Sequence, residues 1–252
     1  MNFLEQIKRD IELREAKERT LLRKEKPLSL SFYLKRGNGI IGEFKRATPT
    51  SNFITHRRPE EFACLYEING FSAVSVVVEE NFFLTTAEDL KKIKSTVTIP
   101  VIQKGFILFE SQIIEARNNG ADSVLLIVAL TGKKGLIALL EKCQELQMEP
   151  IVEVHSEKDV EEISGLSVKI VGVNNRDLST LKVNLSQGES TLALLKKKNI
   201  GELRIIESGL TKAEDLRRFR QAGADAFLIG SCFLEAEKIE NKIMELIGRL
   251  SQ

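Results

Sequence analysis

The residue types that can move protons fall at recurring places in this chain. Lys104 closes the run Thr98–Gln103, whose Ile99, Val101 and Ile102 suit a strand covered on both faces. A hydrophobic strand that runs into an amine ends either in solvent or in a site. Similar runs end at Glu43 and Lys45, at Glu79, at Glu153, at Asn174, at Glu207 with Ser208, and at Gly230 with Ser231. Glu43 and Lys45 are two apart, so an extended chain points both to one side. Amines and carboxylates brought together tune one another's pKa by charge and by desolvation, which is what general acid–base catalysis requires. A structural ion network is the alternative use of the same residues.

A second signal lies in "ESGLTKAED" and "IGSCF", each of which sets Gly and Ser between a strand-like run and a helical one. Small residues there leave backbone N–H groups free to surround a phosphate, helped by the following helix N-terminus. One such pair is an ordinary turn. Two pairs at consecutive strand ends point to a phosphorylated ligand.

These side chains need a scaffold that gathers strand ends. Short apolar runs begin near Gly39, Ala73, Ile99, Ser123, Pro150, Lys169, Leu203 and Ala226. Each is too short and too β-branched for a helix, and helical patterns separate them. In the last helix Ile239, Ile243, Leu246, Ile247 and Leu250 mark one face. Thr211 with Glu214 reads as a capping box for the helix before it. Gly-Ala-Asp occurs at Gly120 and again at Gly223, each time between a helix and a strand, where glycine can stop a helix at positive φ.

Strand followed by helix, repeated about eight times at about 25 residues each, predicts an α/β chain folded as a (β/α)8 TIM barrel, whose chemistry sits at the C-terminal strand ends and whose phosphate site often follows strands seven and eight. The competing doubly wound sheet would carry G-x-G-x-x-G after its first strand, and none is present. No linker or composition break appears, so residues 1–252 are read as one domain, with 36–252 as the barrel. Residues 1–35 are read as an N-terminal helical extension that a barrel does not need, with Leu4, Ile7 and Ile11 as its buried stripe.

Composition narrows the classes. The chain has 252 residues, 42% hydrophobic and 29% charged, with a net charge of +1, which is ordinary for a soluble globular protein and gives no electrostatic case for nucleic acid or a membrane surface. Cys64, Cys143 and Cys232 have no metal spacing, and their odd number argues against a disulfide framework, so a reducing cytoplasm fits. With only His56 and His155 and no H-E-x-x-H pattern, a histidine metal site is not expected. The opening "MNFLEQIKRDIELREAKER" alternates charged and apolar groups, unlike a signal peptide or anchor. No apolar run approaches the roughly 20 residues that cross a bilayer.

Seven stretches in order, "GEFKRATPT", "EENFF", "QKGFI", "PIVEVHS", "GVNNRDL", "ESGL" and "LIGS", resemble the successive motifs of the indole-3-glycerol phosphate synthase family from Gly42 to Ser231. The resemblance implies ring closure, decarboxylation and dehydration of 1-(2-carboxyphenylamino)-1-deoxyribulose 5-phosphate, a step of tryptophan biosynthesis, without cofactor or metal. It also allows association with other enzymes of that pathway. It assigns Lys104 as general acid for ring closure and Glu153 to proton transfer near the anilino group. Glu43 and Lys45 bear on dehydration and on the substrate's anions. Asn174, Arg176 and Glu207 surround the ribulose hydroxyls, and Ser208, Gly209, Gly230 and Ser231 the phosphate. Phe83, Phe106, Leu125 and Leu178 hold the aromatic ring. The chain departs from the family where Lys-Asp-Phe becomes Lys104-Gly105-Phe106 and where a threonine becomes Val78. The missing carboxylate is expected to leave Lys104 under-restrained, so that Gly105→Asp speeds turnover. Two alternatives remain open from the residues alone: a phosphoribosyl-type isomerase, and a divergent or non-catalytic barrel that keeps phosphate binding.

Overall fold

The computed structural model describes residues 3–12, 20–50 and 54–248. Its strands are β1 (Ile40–Phe44), β2 (Ala73–Val77), β3 (Val101–Lys104), β4 (Ser123–Ile127), β5 (Ile151–Val154), β6 (Ile170–Asn174), β7 (Leu203–Glu207) and β8 (Ala226–Ile229). They pair in sequence order, all parallel, and β1 closes on β8. Helices α1 (Phe3–Glu12) and α2 (Leu30–Arg36) precede the barrel. Around it run α3 (Pro59–Ile68), α4 (Ala87–Thr96), α5 (Glu110–Asn118), α6 (Val128–Glu145), α7 (Glu157–Ile163), α8 (Leu185–Lys197), α9 (Ala213–Ala222), α10 (Ser231–Leu234) and α11 (Ile239–Ile247). Among the described residues no helix is long and apolar enough to cross a membrane.

The strands are buried on both faces, which explains their nearly continuous apolar runs. One face of each strand packs outward on the helices through residues such as Phe44, Val76, Val124, Val152, Val173 and Phe227. The other faces inward: Ile41, Ala73, Ile102, Leu125, Ile151, Ile170, Ile205 and Leu228 fill the barrel interior. Because successive side chains alternate, the same inward face continues upward to Glu43, Lys104, Glu153, Asn174 and Glu207. Gly42 lies on the outer face, where a Cβ would stand 2.4 Å from the Tyr66 ring.

Both Gly-Ala-Asp segments do one job. Gly120 and Gly223 adopt φ of 106° and 103°, and the aspartate that follows each accepts a backbone N–H from the preceding strand, Asp122 from Val101 at 3.0 Å and Asp225 from Arg204 at 2.8 Å. The cap of α9 lies one residue beyond the expected pair. Asp215 accepts the N–H groups of Lys212 and Thr211 at 3.1 and 3.3 Å, while Thr211 lines the barrel mouth.

The N-terminal segment runs against the expectation that a barrel has no use for it. Leu30 and Leu34 of α2 are 0% and 4% exposed and belong to the interior cluster of Ile41, Ala73 and Leu203. Polar clamps hold the segment there. Asp122 takes Arg23 and the Leu28 N–H, each at 3.2 Å, and Glu149 takes the N–H and hydroxyl of Ser31, each at 2.8 Å. In α1 Ile7 is buried, while Leu4 and Ile11 are half-buried. Leu250, expected on the face of α11, lies outside the described residues.

Candidate active site

A cavity of about 200 Å³ opens at the C-terminal strand ends. Its polar wall is built by the inward ends of β1, β3, β5 and β6, which carry Glu43, Lys104, Glu153 and Asn174, with Lys45 and Arg176 following β1 and β6. Glu43, Lys45 and Glu153 are 5%, 8% and 1% exposed. The Lys104 ammonium donates a short hydrogen bond to Glu207 Oε2 and lies 3.6 Å from Glu153 Oε2 and 3.8 Å from Glu43 Oε2. The other oxygen of Glu43 accepts from Lys45 Nζ at 2.6 Å. Glu207, expected near the substrate hydroxyls, is fully buried and outside the cavity lining, with its hydrogen bond directed to Lys104. Gly172 makes this possible: a Cβ there would stand 2.3 Å from Glu207 Oε1.

The cluster separates its carboxyls. Burial raises Glu207, Glu153 adds to the effect, and Lys104 offsets it only in part, so its pKa is pushed up to about 7. Burial also opposes ionisation of Glu153 and Glu43. For Glu153 the charges of Lys104 and His155 win and hold it down at about 2; for Glu43, Lys45 and Lys104 hold it below its usual range. Burial would lower Lys104, but Glu207, Glu153 and Glu43 together raise it well above an ordinary amine.

Glu207 carries a consequence for stability. An unfolded glutamate loses its proton near 4.5 and folded Glu207 near 7. Between those values the folded state binds more protons, so this group's contribution to stability falls as pH rises through that window. Glu207→Gln cannot ionise. Its Tm relative to wild type is therefore expected to be higher at pH 8 than at pH 5; the same Tm difference at both pH values would reject the assignment.

The end of the cavity expected to take a phosphate is lined by backbone turns. Ser208 and Gly209 take φ of 67° and 77°, the first an unusual angle for a residue with a side chain. Asn175, buried on β6's exit, holds the turn by donating to Ser208 O at 2.8 Å. Ser208, Gly209, Gly230 and Ser231 all line the cavity. A Cβ at Gly230 would stand 2.5 Å from Glu43 Oε1, so a replacement there would disturb Glu43 as well as the turn.

At the apolar end Phe83, Phe106 and Leu178 line the cavity as expected. Leu125 does not. It is 0% exposed in the interior cluster, and Ile127, two residues further along the same face of β4, takes its place at the mouth. Period-two alternation gives the face of a strand but not the depth at which it opens. Glu79 also leaves the site: its carboxylate accepts the N–H groups of Asn81, Phe82 and Phe83 at 3.0, 2.6 and 3.1 Å and so shapes the loop that presents Phe83. Two contributors had no signal in the sequence. Phe3 of α1 lines the cavity and packs edge-on to Phe82 and Phe106 at 5.1 and 6.1 Å. His155 places Nε2 3.1 Å from Glu153 Oε1.

Lys104 does not lack restraint, because Glu207, Glu153 and Glu43 already surround it. Gly105 has no positive φ, but a Cβ there would meet the backbone oxygen of Val78 at 3.0 Å, which would have to give by a few tenths of an ångström. Gly105→Asp is therefore expected to change kcat by less than the about ten-fold that one recovered charged hydrogen bond of roughly 1.5–3 kcal/mol would bring. Side-by-side kcat values, with Tm as a folding control, check this. A gain of ten-fold or more would mean that the carboxylate cage is not restraint enough.

The fold is a (β/α)8 barrel with an amine and carboxyl groups gathered at its C-terminal strand ends. The family model described as indole-3-glycerol phosphate synthase matches residues 2–246. A curated indole-3-glycerol phosphate synthase of Aquifex aeolicus is 38% identical over 213 residues, covering 84% of this chain and 82% of its own length. One from Sulfurisphaera tokodaii is 40% identical over 210 residues, covering 83% and 82%. The chain belongs to the indole-3-glycerol phosphate synthase family. Its activity is that of a carboxy-lyase of tryptophan biosynthesis. Among solved structures, a tryptophan synthase alpha-subunit from Pyrococcus furiosus matches with a TM-score of 0.65 at 12% identity, covering 84% of this chain and 98% of that one. A 3-hexulose-6-phosphate synthase from Salmonella typhimurium matches at 0.62 and 14%, covering 85% and 99%. At such identities these two share the fold alone.

Proposed function

We propose that Lys104 is the general acid that closes the indole ring of 1-(2-carboxyphenylamino)-1-deoxyribulose 5-phosphate. The observation that carries this is a buried amine among three carboxylates, facing a cavity with Gly-Ser turns at one end and Phe83, Phe106 and Leu178 at the other. The apolar end takes the carboxyphenyl ring, and the turns at Ser208–Gly209 and Gly230–Ser231 take the phosphate. Bound between them, the substrate presents its ketone to Lys104. As the ring carbon that bears the carboxylate attacks the ketone carbon, Lys104 delivers a proton to the ketone oxygen. Carbon dioxide leaves and returns its electron pair to the ring. The new hydroxyl then takes a proton from Lys45 and departs as water, pushed by the anilino nitrogen, and loss of a proton from the methylene carbon beside that nitrogen completes the indole.

Glu153 takes the proton released near that nitrogen, being held ionised at about 2. The Glu43–Lys45 pair serves the dehydration step, with Lys45 also facing the substrate's anionic groups. Asn174 and Arg176 meet the ribulose hydroxyls. Their own hydrogen bonds preset them, Asn174 Oδ1 accepting the Arg176 N–H at 3.0 Å and Arg176 donating to Leu181 O at 2.7 Å. Three free thiols fit residence in a reducing cytoplasm. The test is formation of the indole chromophore from the carboxyphenylamino substrate by the purified protein. Turnover supports these roles, and binding without turnover is what the non-catalytic alternative requires.

A further inference from the structure

His155 follows Glu153 by two positions and leaves β5 on the same side. Its ring is nearly buried, with 11% of the side chain exposed, and Nε2 stands 3.1 Å from Glu153 Oε1. Nδ1 is 3.9 Å from Asp159 Oδ2, an oxygen already accepting the N–H groups of His155 and Ser156 at 2.8 and 3.1 Å at the start of α7. Neither oxygen of Glu153 accepts a well-aligned hydrogen bond, although the residue is 1% exposed and the Asn174 side chain as well as His155 acts on it. A carboxylate so placed stays ionised only while cations stand beside it. Lys104 is one such cation, but it is divided among Glu207, Glu43 and Glu153 and is 3.6 Å away.

We propose that His155 is a positioning residue for Glu153: its imidazolium, in contact with Oε1, keeps that carboxylate ionised and aimed so that it can take a proton from the substrate. This rests on the reading of Glu153 as proton acceptor. The groups facing the ring are Glu153 on its own strand, Asp159 at the start of α7, and Glu207 from β7. Burial lowers the ring's pKa, but those three carboxylates outweigh it and the result lies above the ordinary histidine value. Charge, more than shape, is therefore the useful property of the residue.

The chain has two histidines, so the resonances of His155 are assigned in an NMR titration by their loss in His155→Gln. In the wild type His155 is expected to titrate above the ordinary histidine value of about 6.5, and in Glu153→Gln to fall toward or below it. A His155 that titrates at or below that ordinary value in the wild type, or that does not move in Glu153→Gln, overturns the contact as a charge pair. The kinetic arm compares kcat/KM against pH. His155→Gln keeps a hydrogen-bonding side chain but loses the charge, and it is expected to move the acid limb upward by about one pH unit or more, about ten-fold in rate below the limb. His155→Lys restores a cation and is expected to move the limb back toward the wild type. A uniform loss with an unshifted limb in both variants overturns the proposal in favour of a packing role. Failure of the underlying reading looks different: Glu153→Gln would then retain turnover. If a His155 variant does not fold, the NMR arm on the wild type and Glu153→Gln decides alone.

Discussion

Lys104→Met is expected to lower kcat by about 10²–10⁴-fold, the usual worth of a positioned general acid, while substrate still binds. Methionine keeps the length of the side chain and removes only the ammonium. Among the described residues the only other lysine lining the cavity is Lys45, whose Nζ is engaged 2.6 Å from Glu43 Oε1. Binding is expected to survive because Phe83, Leu178 and the turns proposed to hold the phosphate follow strands other than β3. The substitution also strands Glu207, Glu153 and Glu43 without their shared cation. Breaking a buried ion pair from one side costs about 3–5 kcal/mol when the remaining charge stays, but these carboxyls can take up protons instead. Stability should therefore be lost more at pH 8 than at pH 6, and the kinetics belong at the lower value. Substrate affinity by titration calorimetry, beside kcat from indole formation, checks the claim. Turnover within ten-fold of wild type would remove Lys104 from its role.

The second large effect is on the fold. Leu30→Ala and Leu34→Ala are each expected to cost about 2–5 kcal/mol, the range for emptying a buried leucine site. Both side chains pack on the barrel interior, at 0% and 4% exposure. Domains are typically stable by only about 5–15 kcal/mol, so the double variant should be unfolded or nearly so near 37 °C. Phe32→Ala on the same helix, 49% exposed, is the control and should change little. Urea midpoints for the two single variants, the double variant and the control measure this. Losses below about 1 kcal/mol for both leucines would mean that α2 only rests on the barrel.

The contrast between those leucines and Lys104 marks what was legible in the sequence. All eight strands lie where apolar runs begin, because a parallel strand buried on both faces leaves a compact β-branched signature. The strand-end residues Glu43, Lys104, Glu153 and Asn174 were legible for a related reason: one polar group closing such a run has a bland explanation, as Glu79 shows, but several converging from different strands do not. Depth and distant partners were not legible. Leu125 and Ile127 are both apolar, inward and two apart, and only the stagger of β4 against β5 decides which one meets the cavity. Leu30 and Leu34 sit on a short helix whose partner surface is gathered from several strands, of which only β1 is next to it in sequence. Glu207 read as a ligand-facing group because its strand end is right, yet Gly172 on the neighbouring strand lets it turn back to Lys104.

The most direct measurement is a crystal structure of the wild type with a substrate analogue whose ketone is reduced to an alcohol, which binds but cannot close the ring. The expected map places the alcohol oxygen within about 3.2 Å of Lys104 Nζ, the phosphate between the turns at Gly209 and Ser231, and the carboxyphenyl ring against Phe83, Phe106 and Leu178. An ordered ligand whose alcohol oxygen is bound by another residue, with Lys104 still held only by Glu207, Glu153 and Glu43, would contradict the assignment of Lys104 as the acid.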